Sequence, residues 1–158
     1  EYSNAKVTFS GKNPWSDTAA VNDQILPISS SDNETPRFLW DSTPGAPTGA
    51  GELEGDQTGA NLAEGVRWLQ YEFADPVEIT SAAVYWVTKD TGSWALPAGY
   101  RMFYREGNDW RPIQADSPAP QADKIQSFEF APVTTSSVRL EVIPRKNKTV
   151  GVMEWVVK

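Results

Sequence analysis

Apolar and polar residues alternate along a series of short segments, and this period of two limits the fold more than any other feature. In a strand, successive side chains point to opposite faces, so each segment has one apolar face. β-branched and aromatic residues, which favour strands, are frequent in all of them. The segments are Lys6–Ser10, Arg37–Asp41, Val66–Phe73, Ile79–Val87, Tyr100–Arg105, Ile125–Phe130, Ser137–Ile143 and Val152–Val157.

Turn signals separate these segments. The chain has 12 Pro and 11 Gly, and nearly all lie outside the alternating runs. Only a turn around residues 19–23 has a helical pattern, so we predict an all-β antiparallel sandwich with no helix longer than two turns. A chain of 158 residues is long enough to form one domain, 1–158, with its own core. The expected turns are Ala74–Pro76, Glu106–Asp109, Pro118–Pro120 and Ala131–Pro132.

One connection is unusually long. Residues 43–65 are rich in Gly, Ala and Thr and nearly free of large apolar side chains. Because strands are predicted on both sides, this segment is a loop within the domain and not a linker. Loops of this length are usually functional or disordered, and the sequence leaves both alternatives open.

Composition excludes several classes of site. The chain has no Cys and no His, which removes Ser-His-Asp and Cys-His triads, thiolate or imidazole zinc sites and haem ligation. Oxygen-ligated calcium remains compatible. A net charge of −7 disfavours nucleic acid and anionic membranes, and no apolar run could cross a membrane. A glycosidase needs two carboxylates, but no spacing selects a pair among the 21 acidic residues, so we expect no enzyme.

Several short motifs follow one another in a recognisable order. They are AVND at 20–23, PRFLWD at 36–41, WLQYEF at 68–73, VYW at 84–86, YRMFY at 100–104, VRLEV at 138–142 and GVMEW at 151–155. This order resembles the galactose-binding-like jelly roll of discoidin or coagulation factor V/VIII type C domains and of family 32 carbohydrate-binding modules. Within that group it most resembles the C-terminal modules of bacterial glycoside hydrolases of the β-L-arabinofuranosidase kind.

The resemblance implies an eight-stranded jelly roll that binds glycans or supports a catalytic domain, often with one structural calcium ion. It places calcium ligands at Asn22, Asp23 and Glu154, which requires the two ends of the chain to meet. A turn at Asn22 and Asp23 offers carbonyl and carboxylate oxygens, the ligands that calcium prefers. The sequence departs from the family at Gln24, where Gly is usual, and in the long loop after Trp40.

Tryptophan is the natural sugar platform in an acidic chain without His, because sugar C–H groups pack on aromatic rings. Most of the seven Trp fall in alternating runs or at hairpin ends, which predicts core positions. These are Trp40, Trp68, Trp86, Trp110 and Trp155. Trp94 and Trp15 lie instead in polar loops, where binding residues concentrate.

The surroundings of Trp94 make it the first candidate for sugar binding. Lys89 and Asp90 precede it and supply hydrogen-bond donors and acceptors, and Arg101 follows at an outward-facing position. Trp15 is a second candidate. Each of the two Trp is either a platform or a lid on the end of the sandwich. The basic loop at residues 145–149 is a rim candidate, although a solvated turn is the better interpretation.

These features predict a non-catalytic carbohydrate-binding module that targets a secreted glycoside hydrolase to polysaccharide, a tethering effect. The expected partners are a glycan or plant polysaccharide and the catalytic domain of the same parent chain, from which this segment would be excised. The expected location is secreted, periplasmic or on the surface of a bacterial cell. Two alternatives remain: a structural accessory domain that binds no sugar, and a cell-surface adhesion domain.

Overall fold

A computed structural model describes residues 4–32, 34–42, 65–88 and 92–158. Strands dominate these ranges, which confirms the all-β prediction, and the turn near residue 19 forms a single-turn 3₁₀ helix, Ala19–Val21. No helix in the described ranges is long and apolar enough to span a membrane. The strands are β1 Lys6–Phe9, β2 Phe38–Leu39, β3 Arg67–Trp86, β4 Gly99–Glu106, β5 Asp109–Pro112, β6 Ile125–Ile143 and β7 Gly151–Val157.

Two long strands, β3 and β6, each take part in both layers of the sandwich. Residues 67–72 of β3 and 137–142 of β6 pair with each other, and with β1 and β4 they form a front sheet in the order β1-β3-β6-β4-β5. Residues 82–86 of β3 pair with β7, and the first half of β6 lies on their other side. Together with β2 they form a back sheet in the order β2-β7-β3-β6.

Two of the predicted turns are wrong. Pro76 and Pro132 lie inside β3 and β6, so four of the predicted segments merge into two strands. The described residues therefore contain seven strands instead of the eight that the resemblance implies. The register between β3 and β6 shifts from Glu72 to Val77, and at such an irregularity a proline need not donate to the ladder. Strand β5, which the pattern missed, pairs with β4 across the correctly predicted turn at 106–109.

The core fills the space between the two sheets. The front sheet contributes Leu69, Tyr71 and Leu140, and the back sheet contributes Trp86 and Trp155, all nearly or completely buried. Tyr71 stacks on Trp155 with 4.2 Å between ring centroids. Its hydroxyl lies 2.6 Å from the carbonyl oxygen of Trp155 in β7 and 2.7 Å from that of Val21 in the 3₁₀ helix. The two ends of the chain therefore meet, as a calcium site at residues 22–23 and 154 requires.

Candidate functional site

The loops that face one end of the sandwich hold two of the candidate sugar-binding residues, Trp15 and Trp94. We call residues 10–17, 30–32, 34–37, 92–98 and 144–150 the loop end. Trp40 fixes the position of this end, because its backbone N–H donates to the carbonyl of Val150 and its indole N–H donates to that of Trp68, both at 3.1 Å. These two bonds join Trp40 to the residue before β7 and to the start of β3, so the loops of both sheets lie at the same end of the sandwich.

Trp15 is the most exposed aromatic side chain in the described ranges, with 87% of its surface accessible. Its loop is nevertheless held firmly. The N–H of Trp15 donates to Oδ1 of Asn13 at 3.0 Å, and the N–H of Asn13 donates to the carbonyl of Leu39 at 3.0 Å. The Leu39 N–H in turn donates to the hydroxyl of Ser16 at 2.6 Å. A ring held in solvent on a fixed backbone loses little freedom when a ligand stacks on it.

Trp94 is only half-buried, and it closes a small apolar cluster on the outer side of the back sheet. The cluster contains Leu39, Tyr85, Val87 and Met153. The guanidinium of Arg37 lies 5.3 Å from the centroid of the Trp94 ring, which is a cation–π distance. Trp94 therefore packs against the apolar cluster below the loop end, whereas Trp15 projects into solvent.

Arg37 is held over Trp94 by a polar turn. Its guanidinium donates to the carbonyls of Ser30 and Asp32. The Asp32 carboxylate accepts hydrogen bonds from the hydroxyl of Thr35 at 2.6 Å and from the N–H of Glu34 at 2.9 Å. These bonds, that of Thr35 foremost, lower the pKa of Asp32. Burial lowers the pKa of Arg37, and the charge of Asp32 opposes that effect. The two hydrogen bonds of the guanidinium hold this cation in a fixed position beside the ring.

The basic loop at 145–149 is brought against the Trp94 loop. The Lys148 ammonium donates to the carbonyl of Gly92, and the N–H of Thr149 donates to the carbonyl of Ser93 at 2.9 Å. Lys148 is exposed, as the prediction of a solvated turn requires, and its bond to Gly92 holds it beside the loop that carries Trp94. Lys89 and Asp90, two further predicted site residues, lie outside the described residues.

The structure places other predicted residues on the outer face of the front sheet. Arg101 of β4 pairs in register with Glu141, and its guanidinium lies 5.9 Å from the ring centroid of Phe103. Trp68 and Trp110 share this face and are half-buried, so the prediction that they belong to the core is wrong. Sequence periodicity identified the strand of Trp68 but not β5, which carries Trp110, and it could not show that both faces of the sheet carry aromatic rings. Core positions are confirmed for Trp40, Trp86 and Trp155.

The expected calcium ligands come from both ends of the chain. Glu154 of β7 is 1% exposed. It lines a cavity of about 340 Å³ on the outer side of the back sheet, and Gln24, the last residue of the 22–24 turn, lines the same cavity. Asn22 donates to the carbonyl of Ala5 at 3.4 Å, and Asp23 accepts from the N–H of Ile25 at 2.8 Å. The described ranges hold no group of three or more His, Cys, Asp or Glu suited to a metal.

Gln24 stands where the family that the sequence resembles usually has glycine. Its φ angle is 65°, in the left-handed region. The departure from the family at this position therefore leaves the turn in place. The donor set of one buried carboxylate and turn carbonyls fits a cation such as calcium, which takes mainly oxygen ligands.

Comparison with known proteins identifies the fold. No family model and no curated protein matches the chain. A structure of the Streptococcus pneumoniae β-galactosidase BgaA matches with a TM-score of 0.70 and 14% identity over 98% of this chain and 91% of that one. The family 32 carbohydrate-binding module of C. perfringens NanJ, in complex with galactose, matches with a TM-score of 0.64 and 8% identity over 97% and 92%.

A third structure extends the comparison. Chitosan-binding module 1 of a Paenibacillus chitosanase/glucanase matches with a TM-score of 0.60 and 14% identity over 98% and 95%. The fold is the galactose-binding-like jelly roll. Identities this low establish the fold alone, and the β-L-arabinofuranosidase part of the resemblance stays a prediction.

Proposed function

We propose that the chain is a non-catalytic carbohydrate-binding module and that Trp15 is its main sugar platform. The supporting observation is the 87% exposure of this ring on a loop fixed by hydrogen bonds. A large exposed aromatic side chain on a rigid loop has no role in the core, and binding residues concentrate on such loops.

The neighbouring groups supply polar contacts. A sugar ring that stacks on Trp15 presents its hydroxyls sideways, where charged side chains can bind them. Arg37 connects the two Trp loops, because its carbonyl accepts from the N–H of Asp17 at 2.9 Å while its guanidinium covers Trp94. The Lys148 ammonium donates to the carbonyl of Gly92, in the same loop as Trp94. We therefore assign Trp94, Arg37 and Lys148 to the rim of the site, with Lys89, Asp90 and Arg101 as further sequence-based candidates.

Solved structures with the same fold support a binding role without catalysis. The solved structures with this fold include modules described as binding galactose and chitosan. We propose that this module likewise binds glycan or plant polysaccharide, is attached to the catalytic domain of a glycoside hydrolase and acts outside the bacterial cell. Attachment would raise the local concentration of that enzyme on its substrate.

Glycan-array screening followed by calorimetry tests the platform. A single shallow ring buries little area, so we expect a Kd of about 0.1–1 mM. Trp15→Ala should abolish this binding with little change in Tm, because the ring makes few packing contacts. Ile28→Ala removes a comparably exposed apolar side chain, 92% accessible, outside the loop end and should bind like the parent. If Trp15→Ala retains full affinity, or no glycan binds, the assignment fails.

We also propose that calcium binds between the 22–24 turn and Glu154. Bound calcium would contribute positive charge to a nearly fully buried carboxylate. A ligand that binds only the folded state stabilises it by roughly 2.7 kcal/mol at a hundredfold excess over its Kd. Calcium should therefore raise Tm, and Asp23→Asn and Glu154→Gln should each reduce that rise. A Tm that is identical in calcium and in chelator would exclude the site.

The structural-accessory alternative has one observation in its favour. Ile25, Leu26 and Ile28 are 49%, 59% and 92% exposed, and such side chains are typical of surfaces that pack on another domain. This alternative predicts that the isolated module binds no glycan. It also predicts that Ile28→Ser weakens association with the catalytic domain, which co-purification of the two domains measures.

A further inference from the structure

The outer face of the front sheet carries aromatic and cationic side chains at consecutive strands. In β3, Trp68 and Gln70 point away from the core residue Leu69, and in β6 Arg139 does so between Val138 and Leu140. Gln70 pairs in register with Arg139, and Arg105 of β4 pairs with Trp110 of β5. We call Trp68, Arg139, Arg105 and Trp110 the outer stack. It spans three strand spacings, about 14 Å.

Each guanidinium of the outer stack lies over one or both of the indole rings. The Arg139 guanidinium lies 4.3 Å from the ring centroid of Trp68 and 4.6 Å from that of Trp110. The Arg105 guanidinium lies 5.0 Å from the Trp110 centroid. Gln70 fixes the orientation of Arg139 by accepting from its Nε at 2.8 Å and from one terminal nitrogen at 2.7 Å. The stack is therefore ordered without a ligand.

Two cations, Arg105 and Arg139, lie over one aromatic ring, although the chain as a whole is acidic, with a net charge of −7. Burial lowers the pKa of Arg139, Glu141 opposes that effect at 4.0 Å, and the charge of Arg105 lowers it further. Both guanidinium groups lie over the Trp110 ring and carry like charges, so they repel each other. Arg105 is exposed, so an anionic group from solvent can reach the pair and relieve this repulsion.

We propose that the outer stack is a second binding site, separate from the loop end, for a carboxylate-bearing polysaccharide chain. Carboxylates form paired hydrogen bonds with the planar guanidinium of Arg105, while apolar sugar faces pack against the exposed parts of Trp110 and Trp68. An extended polyuronate chain provides both groups repeatedly along its length. Nucleic acid would present phosphate at higher charge density, which the acidic remainder of the surface repels.

Calorimetry with polygalacturonate and with a neutral polysaccharide of similar length tests this site. The parent should bind the polyuronate more tightly, with an affinity that falls as salt rises. Arg105→Gln and Trp110→Ala should each weaken binding by about tenfold or more, because each removes a contact to the chain. Since Arg105 is exposed, Arg105→Gln should leave Tm near the parental value.

Arg111→Gln is the matched control. Arg111 precedes Pro112 in β5, faces the opposite side from Trp110 and pairs with Glu106 at 3.1 Å, so its loss removes the same charge from the other face. It should bind polyuronate like the parent. Trp15→Ala separates this site from the loop end, because the loss caused by Arg105→Gln must persist in that background.

The proposal is overturned if the parent does not bind polyuronate or if Arg111→Gln weakens binding as much as Arg105→Gln. It is also overturned if Trp15→Ala removes polyuronate binding while Trp110→Ala leaves it intact, since the loop end would then hold the chain. Dextran sulfate, a polyanion without carboxylates, is the last ligand to be tested. If it binds as tightly and with the same sensitivity to Arg105→Gln, the site recognises polyanions in general, and the assignment to carboxylates is wrong.

Discussion

Gly151 occupies a position where two backbones come closer than any side chain allows. It begins β7 and pairs with Leu39 of the two-residue strand β2. A Cβ atom added to Gly151 would lie 2.5 Å from the carbonyl oxygen of Phe38 and 2.5 Å from Cδ2 of Leu39. Its φ angle is outside the left-handed region, so the whole penalty of Gly151→Ala is steric.

The cost follows from these distances. Non-bonded heavy atoms separate to about 3.5–4.0 Å, so β2 and β7 would have to move apart by roughly 1 Å. Overpacking of this kind costs about 1–3 kcal/mol. For a domain of this length, 1 kcal/mol lowers Tm by about 2–4 °C, which gives a fall of roughly 2–12 °C. Because Leu39 also supports Trp94, the loop end should loosen at the same time.

Thermal and urea unfolding of Gly151→Ala and of three further variants separate the steric cost of the added methyl group from the cost of backbone strain. Gly107→Ala places a methyl group where nothing lies within 4 Å but φ is 61°, so it measures conformational strain alone, about 1 kcal/mol. Leu39→Ala removes the movable neighbour of Gly151. The double variant Gly151→Ala/Leu39→Ala should remain less stable than Leu39→Ala, because the Phe38 carbonyl cannot withdraw.

Two results would refute this reasoning. If Gly151→Ala unfolds at the parental midpoint, the strands do not approach as described. If the double variant equals Leu39→Ala, the backbone contact carries no energy and only the side chain of Leu39 opposes the added methyl group.

Three further perturbations test the surroundings of the two sites. Gln24→Gly should stabilise the fold by about 0.5–1 kcal/mol in thermal unfolding, because φ is 65° and glycine adopts this region without strain. Tyr71→Phe should cost about 1–3 kcal/mol and speed amide exchange near the 3₁₀ helix, because the buried carbonyls of Val21 and Trp155 lose the one hydroxyl proton that they share. The pKa of Asp32 is lowered by the Thr35 hydroxyl, so the stability it contributes is present above the unfolded pKa and lost as pH falls. Acidification from about pH 5 to about pH 3 should therefore destabilise the parent more than Asp32→Asn, whose side chain does not titrate.

The calcium prediction depends on a contact that residue order alone could not establish. The resemblance named Asn22, Asp23 and Glu154, and their segments come near each other only because β7 and the 3₁₀ helix both pack on Tyr71. The burial of Glu154 is likewise a property of the assembled back sheet.

The sequence by itself determined the all-β class, the positions of most strands and the two Trp that lie in loops. These are local properties, because alternation and turn residues act within a few positions along the chain. Pro76 and Pro132 led to the wrong prediction of a turn at each position. A bend within a long strand and a turn between two strands use the same residues, and only pairing across the sheet distinguishes them.

The tertiary structure decided which aromatic rings are buried. Trp68 and Trp155 both lie in alternating segments, yet Trp155 is fully buried and Trp68 faces outward beside Arg139. A period of two defines two faces of a strand but does not specify which face meets the second sheet, because that depends on strands distant in sequence. The contact of Arg37 with Trp94 and the outer stack arise for the same reason, since each joins segments that only the folded sandwich brings together.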